Sequence, residues 1–76
     1  MSRFIAEPDT EFDQQALVVE LCDDPDRNGT TVGWATGPEA LDDAQEAAGI
    51  INQTGRQPQG CDRDRLGYTV KDGEDF

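Results

Sequence analysis

The chain has 76 residues, room for one domain with a thin core, because a chain of this size buries only ~60% of its extended surface on folding. Seventeen acids against six bases, with no histidine, give a formal net charge of -11 whose sign holds across neutral pH. That balance argues against direct binding to a phosphate backbone, where Lys and Arg must displace counterions. An apolar content of 34% supports a two-layer fold but no deep, isolated reaction chamber.

The first apolar cluster, Phe4-Ile5-Ala6, is followed by Glu7-Pro8-Asp9-Thr10. Proline cannot donate a ladder hydrogen bond, so residues 3–7 read as a short edge strand. Between Ala16 and Cys22, Leu17, Val19 and Leu21 fall on one side of a period-2 pattern, with Val18, Glu20 and Cys22 on the other; this predicts a strand over 16–22. The turn-forming run Asp23-Asp24-Pro25-Asp26-Arg27-Asn28-Gly29 is expected to close a hairpin onto a second strand over 30–36, with Val32 and Trp34 on one face.

Thr36-Gly37-Pro38-Glu39 has the spacing of a capping box with Pro in the first turn, which predicts a helix from about 38 to 49. At 100° per residue, Ala40, Leu41, Ala44, Ala47, Ala48 and Ile51 share an arc of roughly 120°. Leu41 is the expected large anchor of that face. Glu39, Asp42, Asp43 and Glu46 form a carboxylate stripe on the opposite side. Ile50 falls among the acids, so Gly49 is expected to cap the helix; the alternative is a helix continuing to Gly55.

Residues 52–65 lack apolar periodicity and read as a loop. Leu66, Tyr68 and Val70 alternate with Gly67 and Thr69 and predict a last strand over 66–70, followed by a tail at 71–76 that is mobile unless Phe76 docks. The expected fold class is therefore α+β: a small antiparallel or mixed sheet in the order β-β-β-α-β, with one helix packed on one face and residues 1–76 forming a single small acidic domain.

Catalytic and metal chemistry find little support. Asp24, Asp26 and Asn28 before Gly29 have the spacing of the opening of an EF-hand loop, but the twelfth position holds Ala35 instead of a bidentate Glu. Two cysteines 39 positions apart, without histidine, supply at most half of a tetrahedral metal set and no base for a nucleophile. No enzyme activity, no cofactor and no metal are expected. Cys22 and Cys61 are expected as reduced thiols, and the absence of an apolar run near the start or of membrane-span length leads to a cytoplasmic expectation.

The informative feature is where the acids lie. Residues 1–37 carry a net -6, residues 38–54 carry -4 and residues 55–76 only -1, so the excess sits on predicted elements rather than in an acidic tail. The candidate partner-binding residues are the stripe Glu39, Asp42, Asp43 and Glu46, continued by Asp23, Asp24 and Asp26 on the hairpin loop. A rigid array of carboxylates imitates a phosphate backbone and suits a basic groove on a nucleic-acid-binding protein. Halophilic or solubilising surface charge is the competing explanation of the same residues.

In size, acidity and lack of catalytic residues the chain resembles small phage-encoded inhibitors of host defence, including anti-CRISPR proteins and DNA mimics. That resemblance is one of composition. It implies an inhibitor that occupies a basic nucleic-acid-binding surface of a protein partner. The segment Leu17-Val18-Val19-Glu20, with Val32 to Ala44, also looks like the sheet-to-helix part of HicB-type antitoxin domains, implying an antitoxin or small regulatory subunit. A structural or oligomer-forming protein is the third expectation.

Overall fold

The structure is a computed structural model and describes residues 2–76. Four strands, β1 (Arg3–Pro8), β2 (Gln15–Leu21), β3 (Thr30–Thr36) and β4 (Tyr68–Val70), form one antiparallel sheet in the order β1-β2-β3-β4. Two helices, α1 (Ala40–Thr54) and α2 (Cys61–Leu66), lie between β3 and β4 in the chain. The result is the expected small α+β fold, with both helices packed against the sheet and α1 lying mainly over β1 and β2.

Register decides which face is the core. Ala16 and Val18 of β2 are buried beneath α1 together with Val32, Ala35 and Tyr68, and Phe4 and Ala6 pack at the edge. Leu17, Val19 and Leu21, by alternation, belong to the face that α1 leaves uncovered. Along β3 the pairing slips between Val18 and Val19: Val18 faces Gly33 while Val19 faces Thr31, leaving Val32 as an extra residue. This bulge corrects the expectation that Val32 and Trp34 share a face. Val32 enters the core with Ala35, three positions on, whereas Trp34 pairs with Leu17 on the uncovered side.

α1 departs from expectation at both ends. Its N-cap is Glu39, with no side-chain capping bond, so the Thr36/Glu39 capping box does not form; the turn is closed by Ala40 N–H donating to the Gly37 carbonyl. At the other end Gly49 is an exposed mid-helix residue, and the helix runs on to Gly55, whose φ of 73° closes it with a bond to the Ile51 carbonyl. Tertiary packing outweighs the helix-weakening Gly49, because Ile51 is buried and Asn52 grips β1 through Phe4: its Oδ1 accepts from the Phe4 amide at 2.8 Å and its Nδ2 donates to the Phe4 carbonyl at 2.9 Å.

Leu41 is not the anchor. It lies at the margin of the apolar arc, 40% exposed, and the largest fully buried apolar side chains include Ile51, Leu66, Val18 and Val32. The buried face of α1 is otherwise Ala40, Ala44, Ala47 and Ala48, which lets the helix sit close to the sheet.

The segment 52–65, expected as a loop, contains the end of α1 and most of α2, and Leu66, expected in a strand, is the last residue of α2 and buried. Between the helices Gln57 is 2% exposed and fully bonded: its Nε2 donates to the carbonyls of Val32 and Glu74, and its Oε1 accepts from the Tyr68 hydroxyl at 2.7 Å. Tyr68 reaches Gln57 across Gly33, where any Cβ would collide with the phenol and with the Thr69 carbonyl. Burial holds the Tyr68 phenol above its ordinary pKa, against smaller opposing effects from Gln57 and Arg63.

The tail at 71–76 is docked. The Phe76 ring lies 5.8 Å from that of Phe4, the Phe76 carbonyl accepts from the Gln57 amide, and Glu74 pairs with Arg27.

Candidate functional site

Chain path sorts the acids into two groups that the sequence leaves mixed. The pairing of Gln15 with Thr36 brings the β1–β2 connection, residues 9–14, beside the β3–α1 connection. Gly37 N–H donates to the Gln14 carbonyl at 2.8 Å and so ties the two connections together. Glu7, Asp9, Glu11 and Asp13 thereby share one end of the sheet with Glu39, Asp42 and Asp43 of the helix start. Arg3 pairs with the far end of β2 and Arg27 is in the β2–β3 loop, whereas Arg65, near the end of α2, comes close to this end and pairs with Glu46. Seven of the 17 acids thus gather into a pole, and none of the seven is ion-paired with a described residue.

The pole is held in place by its own backbone. Asp9 accepts from the Glu11 amide at 2.8 Å and from Gln15 Nε2 at 2.9 Å, and Asp9 N–H donates to the Gln15 carbonyl. Gln14, with φ of 58°, is the only non-glycine residue in the left-handed region among those described, and it makes the sharp entry into β2. Asp42 and Asp43 lie in the first turn of α1, where the free amides favour negative charge and offset part of their mutual repulsion.

The sequence-selected residues are therefore divided. Glu39, Asp42 and Asp43 belong to the pole. Glu46, one turn further on, pairs with Arg65 at 2.5 Å, and Arg65 also meets Asp62 at 3.2 Å; both carboxylates, Glu46 foremost, raise the Arg65 pKa. Asp23, Asp24 and Asp26 occupy the β2–β3 loop at the opposite end of the sheet, about 20 Å away along strands that rise ~3.3 Å per residue. They do not continue the stripe. Asp24 organises that loop as an Asx turn, its Oδ1 accepting from the Asp26 amide and its carbonyl from Arg27 and Asn28. No group of three or more metal-ligating side chains occurs among the described residues.

Glu7, Asp9, Glu11 and Asp13 were not singled out by sequence reasoning, although their signal is simple. Residues 7–13, just before β2, hold four acids and no base. Once the first three strands are taken as a meander, the first connection must lie at the same end as the helix start.

At the opposite end two of the acids are paired, while Asp23, Asp24 and Asp26 form no ion pair among the described residues. Arg27 Nη2 lies 2.8 Å from Glu20 and 2.6 Å from Glu74, so one guanidinium joins β2, its following loop and the tail. Its hydrogen bond is the chief reason that the Glu74 carboxyl titrates below its ordinary range. Both cysteines are free, Cys22 half-buried and Cys61 exposed. No described helix is long and apolar enough to cross a membrane. Comparison with protein-family models, curated proteins and solved structures finds no match to this chain.

Proposed function

We propose that the protein is a cytoplasmic binding protein, not an enzyme, whose acidic pole seats on a basic surface of a partner and thereby blocks that surface from nucleic acid. The observation that carries this reading is the pole itself: seven carboxylates on two cross-tied connections and the ends of β1 and α1 that flank them, none of them ion-paired with a described residue. Charges held in position need not be gathered on binding, so less ordering entropy opposes association. A single-sign field also speeds encounter with a surface of opposite sign, and does so less as salt rises.

The test begins with affinity capture from host lysate at about 50 mM salt, followed by elution at about 300 mM or with duplex DNA. The captured partner is then used to compare association rates of the wild type and the Glu11→Gln, Asp13→Asn, Asp42→Asn, Asp43→Asn variant. The variant is expected to associate at least tenfold more slowly at low salt and with a shallower salt dependence. Equal rates and slopes for two folded proteins would assign the acids to solubility alone.

A further inference from the structure

The sheet has a second face that no described element covers. Strand register arranges it in three rows: Glu7, Leu17, Trp34 and Thr69; then Ile5, Val19 and Thr31; then Arg3 and Leu21. Its centre is apolar. Val19 is only 4% exposed, yet it lies on this face and not in the helix-side core. Ile5, Leu17, Leu21 and Trp34 around it are half-exposed. An antiparallel sheet with a water-facing side ordinarily alternates to polar residues there; here they keep to the margins, and the centre is apolar.

The charges at its margin are ordered as well. Arg3 and Glu7 lie on the same strand and the same face, two alternations apart, one in the last row and one in the first. Consider two copies stacked face to face about a two-fold axis that lies in the interface and runs across the strands. Each first row then meets the other copy's last row. Arg3 of each copy comes opposite Glu7 of the other, Leu21 comes opposite Leu17, and the row containing Val19 meets itself. The same operation sends the two acidic poles to opposite ends of the pair. An axis along the strands would instead put the poles side by side.

We propose that this face is a homodimer interface, covered by a second copy of the chain in that arrangement. The occupant is chosen by the self-complementarity of Arg3 and Glu7 and by the separation of the poles it allows. Four strands and three rows make a patch at the low end of specific interfaces, so the dimer is weak and concentration-dependent. Because each copy carries -11, screening strengthens this association, opposite in sign to the salt effect on a basic partner. The inference does not depend on the proposed function.

The test is sedimentation equilibrium of the full chain from about 10 µM to about 1 mM, at roughly 0.1 and 1 M salt, with Trp34 fluorescence recorded over the same range. The expected result is a mass rising from 8.3 kDa towards twice that value, more readily at high salt, with a blue shift of the lone tryptophan. Leu17→Ser is expected to raise the dissociation constant at least tenfold. Thr31→Lys, which removes no packing from the helix-side core, does the same if the serine variant fails to fold. Arg3→Glu is expected to weaken the dimer roughly tenfold, and adding Glu7→Arg to restore it. A monomer under all conditions would give the face to a different partner or to water and overturn the proposal. So would a dimer indifferent to Thr31→Lys, or a charge reversal that the second reversal does not rescue.

Discussion

The two ends of the sheet are both rich in carboxylates, but only one of them pairs any with a base. At the end formed by the β1–β2 connection and the start of α1, none of the seven acids is in an ion pair with a described residue. At the other end Glu20 and Glu74 share Arg27, and Asp75 lies 3.7 Å from Arg63. The acid side chains are of one kind; what differs is where the few bases fall. Paired acids close the tail onto the sheet, and unpaired ones remain available to something outside the chain.

Side-chain removal breaks this comparison most sharply. Gln57→Ala leaves the Tyr68 hydroxyl and the Val32 and Glu74 carbonyls without their partner at the closed end, and is expected to cost about 2–4 kcal/mol. Leu41→Ala, on the half-exposed margin near the acidic end, is expected to cost less than about 1 kcal/mol. Chemical denaturation of the two variants checks the order; a larger loss for Leu41 would mean that the helix anchors through its margin.

A smaller effect separates the ends by pH. Glu74 binds a proton in the folded state only below the ordinary carboxylate range, so its contribution is complete above that range and is lost as pH falls through its own lower value. Hydrogen exchange at the Gln57 amide, which donates to the Phe76 carbonyl, should report the loosening of the tail. Glu74→Gln is expected to leave the tail less protected at neutral pH and to flatten that pH dependence. An unchanged profile would show that the aromatic contact with Phe4 holds the tail without Arg27.

The smallest expected change is at the acidic end. Asp42→Asn with Asp43→Asn removes repulsion and a favourable helix-end interaction together, and should alter stability by less than about 0.5 kcal/mol. A thermal melt that moved by many degrees would show that these acids support the fold.

Periodicity made β2, β3 and the apolar arc of α1 legible, and β3 lies where alternation predicts it. The bulge at Val32 was not legible, since a single extra residue leaves the composition of a strand unchanged while reversing the facing of every residue beyond it. α2 was missed because Cys61-Asp62-Arg63-Asp64-Arg65 has no apolar stripe and only Leu66 is buried. Gln57 gave no sign at all: an amide in a Pro- and Gly-containing stretch reads as solvent-facing, and its burial depends on acceptors contributed by residues 32 and 74. The acidic pole was half legible, its charges plain but their meeting fixed only by the pairing of Gln15 with Thr36.

The grip of Asn52 on Phe4 has a consequence for how the sheet can grow. An edge strand recruits another strand through backbone groups left without partners, and such addition can repeat without limit into fibrils. On β1 the carboxamide already occupies both the N–H and the carbonyl of Phe4, and Pro8 has no N–H to offer. β4 presents only three residues on the other flank. One side chain and one ring thus occupy or remove much of what the edge could offer another strand, which favours association through faces and ends, where it can terminate.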